Sequence, residues 1–257
     1  MDKYINFARK LALAAGEIMT ENFGIEGKEK SDKSLLTVAD LKINQLVIDE
    51  INKAFPDHSI KAEEGSSVVD SDYLWVCDPI DGTRSFSFGV PVNVFSIALL
   101  KNGVVMLGVV YDPYLKRMYY AIQGKGAFMN DKRITVSAKS SISEGCIDIC
   151  YFNRAKYNLA GFVQFMSDKG IKVTNIGLSS IIYAGMLVAN GKLEVGIFPN
   201  TTAHDCASIK IIVEEAGGKV TDIKGNDQKY DQDINGCIFS NGLLHAEVLG
   251  FIKEYGI

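Results

Sequence analysis

Two strand-like apolar runs, Val94–Lys101 and Val104–Tyr111, are separated only by Asn102-Gly103. Asparagine and glycine tolerate the positive φ that both central residues of a tight hairpin turn require, and that turn matches the twist of the flanking strands. The chain must therefore build an antiparallel sheet around this hairpin. Strand-like stretches at Ser59–Ala62, Tyr73–Asp78 and Tyr119–Ile122 supply its neighbours, and a Gly-rich turn follows at Gly124–Gly126. Two amphipathic helices precede it. Ile5, Ala8, Ala12, Ala15 and Met19 mark the first, and Ile43, Leu46, Val47, Ile51 and Ala54 the second, which stops before Pro56.

The rest of the chain alternates. Helices are predicted over Lys156–Met166, Ser180–Asn190 and His204–Ala216, the last stopped by Gly217-Gly218, with a final helix from Leu244. Strands are predicted at Lys172–Asn175, Leu193–Phe198, Lys219–Asp222 and Cys237–Ser240. The fold class is mixed α/β, with an antiparallel half over 1–145 and an alternating half over 146–257 in one compact unit. Lys+Arg 27 against Asp+Glu 31 leaves no basic surplus, which argues against a nucleic-acid or acidic-membrane partner. No apolar run approaches the length of a membrane span, and Leu11–Gly16, ended by Glu17, is too short for a signal peptide. Five cysteines without a CxxC pair argue against a disulfide framework or a zinc site, and a reducing cytoplasm is expected.

The chemistry concentrates in Trp75-Val-Cys-Asp78-Pro79-Ile80-Asp81-Gly82-Thr83. An apolar strand ends in one aspartate, and a second follows across Pro79, which is expected to turn the strand out of its sheet. Two carboxylates at a strand end can share a hard cation, Gly82 lets the main chain approach a ligand, and a helix starting at Thr83 would present free N–H groups to an anion. Taken alone, the fragment is as well explained by an ordinary turn. Glu63-Glu64 alone reads as a solvated pair, Asp205 as a first-turn acid of its helix, and Asp40, in Thr37-Val-Ala-Asp40, as part of a capping box. Their order and spacing together are more specific than any one of them.

The acidic pair, then Asp-Pro-Ile-Asp-Gly-Thr, then the Asp205 helix ending Glu214-Glu215-Ala-Gly-Gly218 resemble the inositol monophosphatase superfamily. Leu35–Asp40, Gly108–Pro113, Gly124–Ala127 and Ile134–Ser137 extend the resemblance over nearly the whole chain. It implies a layered αβαβα sandwich, a homodimer, and Mg²⁺-dependent hydrolysis of small phosphomonoesters by activated water. By the same resemblance Glu63, Asp78 and the Ile80 carbonyl hold one Mg²⁺, and Asp78, Asp81 and Asp205 a second, with room for a third. Phosphate is then expected on Asp81, Gly82 and Thr83, while Asp40 and Thr83, with Glu63, activate the water.

Departures from the family pattern bear on the substrate. His204 stands where Trp is common, and Phe198 where inositol-directed members often carry a glutamate that grips sugar hydroxyls. Arg154, Ser179, Ser180, Phe198 and His204 are the specificity candidates, and Arg154 or Lys156 can be read either as binding a second anionic group or as solvated charges. Fructose-1,6-bisphosphatase, histidinol-phosphatase and 3′-phosphonucleotide phosphatase activities compete on the same scaffold. A catalytically idle regulatory binding protein is the rival from another class, weakened by the presence of all four acidic ligands.

Overall fold

The computed structural model describes residues 1–31, 34–150 and 157–257. Its first helix, α1 (Asp2–Glu21), buries Ile5, Ala8, Ala12, Ala15 and Met19 along one face, as their spacing predicts. Short strands β1 (Lys28–Glu29) and β2 (Leu35–Leu36) pair antiparallel within the polar connection that follows. Helix α2 (Val38–Ala54) buries Ile43, Val47 and Ile51, while Leu46 is half-buried and Ala54 lies exposed at the helix end.

Eight strands form the larger sheet. In chain order they are β3 (Ser59–Ala62), β4 (Gly65–Ser67), β5 (Tyr73–Asp81), β6 (Val94–Lys101), β7 (Val104–Asp112), β8 (Arg117–Ile122), β9 (Gly126–Met129) and β10 (Lys132–Arg133). Across the sheet the order is β10-β9-β8-β7-β6-β5-β3-β4, and β3 with β5 is the one parallel pair among them. The β6–β7 turn has positive φ at both Asn102 and Gly103, a conformation that asparagine tolerates and glycine, lacking a Cβ, adopts freely. Between β5 and β6 sits the short helix α3 (Thr83–Ser87).

Pro79 does not turn β5 out of the sheet. The β5–β6 register shifts between Asp78 and Asp81, and pairing resumes at Asp81 opposite Val94. A bulge takes up the residue that has no N–H to donate, so the strand continues to the second aspartate.

The second half contributes β11 (Cys146–Ile149), α4 (Phe162–Asp168), β12 (Thr174–Asn175), α5 (Ile181–Ala189), β13 (Val195–Phe198), α6 (Ala203–Glu215), β14 (Lys219–Thr221), β15 (Cys237–Ser240) and α7 (His245–Tyr255). Its five strands run β12-β11-β13-β15-β14, parallel among the first three and antiparallel around β15. Helix α4 starts later than the predicted Lys156. Asn158 accepts the Ala160 N–H in a local turn, and Gly161 is the N-cap; Lys156 itself lies outside the described residues.

Both faces of both sheets are covered. One core joins α1 and α2 to Trp75, Cys77, Ile97, Leu99, Leu107 and Val109 of the larger sheet. The opposite face, including Val76, Ala98, Leu100 and Val110, packs on α5 and α6, which also meet Val220 and Phe239 of the smaller sheet. A third core places α4 and α7 on Ile147, Ile149, Val195, Ile197 and Ile238. The layers are therefore α, β, α, β, α. Helix α6 ties the middle together. Ser208 and Ser96 hydroxyls meet at 2.6 Å across the buried interface, and Glu215 accepts the Gly124 and Gly126 amides at 2.6 Å each.

Candidate metal centre

Asp78 and Asp81 reach the site from the bulged end of β5, and Asp205 from the first turn of α6. Each offers one carboxylate oxygen, and the three oxygens lie within 4.8 Å of one another. Asp78 is 2% exposed, and its Oδ1 accepts the Ile80 N–H at 3.0 Å. Burial drives the Asp78 carboxyl well above the ordinary range, and the charges of Glu63, Asp81 and Asp205 push the same way. Asp81 is pushed up to about 7, first by burial, with the Ser180 hydrogen bond opposing and Asp205 reinforcing. No ion pair among the described residues reaches Asp78 or Asp81. Three clustered oxygen donors, two of them without a basic partner among the described residues, fit a hard divalent cation, which would relieve their repulsion.

Asp81 Oδ2 accepts the Ser180 hydroxyl at 2.5 Å and the Ile182 N–H at 2.7 Å. Ser180, expected among the specificity residues, thus contacts a candidate ligand directly and also caps α5 by accepting the Tyr183 N–H. Asp205 Oδ2 accepts the main-chain N–H and the hydroxyl of Thr202 at 2.6 and 2.8 Å in a capping box. The cap reading and the ligand reading of Asp205 are compatible, since both cap hydrogen bonds fall on Oδ2. His204 Nε2 lies 2.8 Å from the Thr202 hydroxyl and 3.9 Å from Asp205 Oδ1.

Glu63 stands outside the group of three. Its Oε1 accepts from Lys30 Nζ at 2.9 Å, and the same ammonium pairs with Glu64. Burial works against the charged amine, but its bonds to Glu64 and Glu63 outweigh that and raise the Lys30 pKa. Glu63 is itself shifted upward by burial, against the pull of Lys30 and His204, and its charge is felt by both Asp78 and Asp40.

Asp40 is fully buried in the first turn of α2, where its Oδ2 accepts the Thr37 N–H at 2.7 Å and the Thr37 hydroxyl at 2.5 Å. Its Oδ1 lies 3.5 Å from the Thr83 hydroxyl, which donates to the Ile80 carbonyl at 2.9 Å. Burial raises the Asp40 carboxyl to about 6, against the lowering effect of Thr37. Gly82 has φ +85, and a Cβ there would stand 2.7 Å from the Val92 carbonyl oxygen, so only glycine fits between the strand end and α3. Of the remaining candidates, Ser179 is exposed with φ +58, and Phe198 is 4% exposed, its ring stacked on Phe239 at 5.6 Å. A ring so covered has little surface for a ligand. Arg154 lies outside the described residues.

Two contacts had no reading in the sequence, Lys30 on Glu63 and Ser180 on Asp81. Lys30 sits in a polar connection whose composition says nothing of its partners. Ser180 announced itself as a helix start, but not that it would cross from the second half to touch Asp81.

The inositol monophosphatase family model matches residues 1–255. A fructose-1,6-bisphosphatase/inositol-1-monophosphatase of Thermotoga maritima is 36% identical over 99% of this chain and 97% of its own. A histidinol-phosphatase of Chlorobaculum parvum is 32% identical over 96% of each. The solved structure of a Thermotoga maritima IMPase superposes with a TM-score of 0.87 at 34% identity, covering 99% of this chain and 98% of that one. Layer order, ligand spacing and these matches agree: the chain belongs to the inositol monophosphatase family.

Proposed function

We propose that this phosphoric monoester hydrolase uses Mg²⁺, held by Asp78, Asp81, Asp205, Glu63 and the Ile80 carbonyl, to cleave small soluble phosphomonoesters with water. The observation that carries the reading is the convergence of three carboxylates, two of them buried without a basic partner, from stretches far apart in the chain. Divalent cations bound there neutralise phosphoryl charge and acidify water.

The chain's own groups do the rest. The Thr83 hydroxyl has one proton, now given to the Ile80 carbonyl. Redirected to Asp40 Oδ1, it leaves the Thr83 oxygen free to accept from an attacking water. Thr37 fixes the other Asp40 oxygen, so Oδ1 is the one that faces Thr83. A carboxyl near pH 6 can take up the proton passed on from water through Thr83 at neutral pH. The main-chain N–H groups of Gly82 and Thr83, at the start of α3, supply donors for phosphate oxygens. No covalent intermediate is required.

The relatives' names favour inositol 1-phosphate or fructose 1,6-bisphosphate as substrate. A second reading, histidinol phosphate, is favoured by the Chlorobaculum parvum relative. The cysteines, all free, suit a cytoplasmic enzyme, and family resemblance suggests a homodimer.

The test is phosphate release from inositol 1-phosphate, fructose 1,6-bisphosphate, histidinol phosphate and adenosine 3′,5′-bisphosphate, with Mg²⁺ and with chelator. Release should require Mg²⁺, and Asp81→Asn should lower turnover about a hundredfold or more while the protein stays folded. Equal release in chelator, or near-normal turnover of Asp81→Asn, would show the metal assignment to be wrong.

A further inference from the structure

Asp148, on β11, neither belongs to the carboxylate group nor faces the Asp40–Thr83 pair, yet it is 1% exposed. A buried carboxylate must have its lone pairs filled. No ion pair among the described residues reaches it. Main-chain amides fill them instead. The Leu178 N–H lies 3.2 Å from Oδ1 and 3.3 Å from Oδ2, and the Gly177 amide contributes as well.

The segment held in this way leads straight to the metal centre. Ile176 N–H donates to the Ile147 carbonyl at 3.0 Å, and Asn175 Oδ1 accepts the Ile149 N–H at 3.1 Å. The strand β11 thus moors residues 175–178 at several points. Gly177 and Ser179 then take φ +67 and +58. For serine this left-handed backbone is costly and persists only where its surroundings impose it. Directly afterwards, Ser180 caps α5, and both its hydroxyl and the Ile182 N–H land on Asp81 Oδ2. With two donors on Oδ2, the Asp81 oxygen left for a cation is Oδ1.

We infer that Asp148 is a positioning residue for the metal centre: by holding the Gly177 and Leu178 amides it sets the start of α5 against Asp81, and so selects the Asp81 oxygen that faces the cation. The inference rests on the Mg²⁺-dependent reading above. Groups that hydrogen-bond a metal's ligands typically change metal affinity by about 10–100-fold when removed; Ser180 and Ile182 are such groups for Asp81, and Asp148 acts through them.

The experiment is calorimetric titration of the purified full chain with MgCl₂ in the absence of substrate, with melting temperatures measured alongside. Asp148→Ala should weaken Mg²⁺ binding about 10–100-fold, and Asp148→Asn, which keeps one acceptor oxygen and the volume, about tenfold. Ile252→Val, a trim in the outer core beneath α7, should lower the melting temperature and leave Mg²⁺ affinity unchanged. Either folded Asp148 variant binding Mg²⁺ with the wild-type constant overturns the inference. Should Asp148→Ala not fold, Asp148→Asn decides alone. Unchanged variants beside a wild type that binds Mg²⁺ and hydrolyses phosphate would sink the positioning role only, whereas a wild type that binds no Mg²⁺ sinks the functional reading and this inference with it.

Discussion

Thr83 carries the sharpest test at the level of single residues. Its hydroxyl touches the Ile80 carbonyl and approaches Asp40, and among the described residues it makes no hydrogen bond with Asp81 or Asp205. Thr83→Val keeps the shape and loses the hydroxyl. Mg²⁺ affinity should stay within about twofold, while turnover at saturating Mg²⁺ should fall about 10²–10⁴-fold, the range for loss of proton-transfer assistance. A collapse of affinity with normal saturated turnover would misplace the water-activating role. The carboxylates themselves were legible in the sequence, because Asp78, Asp81 and Asp205 sit in short motifs with characteristic neighbours. What those oxygens touch was not. Lys30 on Glu63, and Ser180 on Asp81, join residues 33 and 99 positions apart, and no local pattern encodes such a meeting.

At the level of elements, strand and helix positions followed from apolar spacing, and the misses have local causes. The bulge at Pro79 was missed because a proline that ends pairing and one that is absorbed by an extra residue look alike in sequence. The late start of α4 follows from the Asn158 turn, which competes with helix for the same amides. Helix α7 offers a prediction. Its first residue, His245, is 1% exposed, with Nε2 2.9 Å from the Thr221 hydroxyl and Nδ1 2.9 Å from that of Ser240. Thr221 gives its proton to the Asp222 carbonyl, so Nε2–H must donate to Thr221 and Nδ1 must accept from Ser240. A second ring proton would face the Ser240 hydroxyl proton at a helix N-terminus. Burial above all, helped by Lys219 and Lys210, lowers the His245 pKa from 6.5 to about 4. Above pH 6.5 the ring is neutral in both folded and unfolded chains and costs nothing. As pH falls from about 6.5 to about 4 the unfolded chain takes the proton first, and about 3 kcal/mol of stability is lost. His245→Gln can keep both hydrogen bonds without titrating. Denaturant melts across that pH window should show wild type losing about 3 kcal/mol more than the variant; parallel losses would refute the assignment.

For the whole molecule, α5 and α6 form a layer shared by the two sheets, so neither sheet can expose its inner face alone without stripping the other. Unfolding should therefore be a single event. Trp75, the only tryptophan, lies in the core under α1 and α2 and reports on the larger sheet, while far-UV dichroism reports on all layers. The two signals should trace coincident urea transitions; a resolved second step would show that the halves come apart separately. The layer order itself was legible only through the family resemblance. Apolar spacing identifies which faces are buried, but not which partner covers them.

The origin of the carboxylates has a further consequence. Asp78 and Asp81 end a strand of the larger sheet, and Asp205 lies in the first turn of α6, which follows all five earlier elements of the second half, β11, α4, β12, α5 and β13. A nascent chain that has finished only the first sheet holds two mutually repelling acids and lacks the third donor. Cation capture at this cluster would therefore wait until α6 has docked, and an ion that bound only the finished arrangement would add its binding energy to the stability of every layer at once.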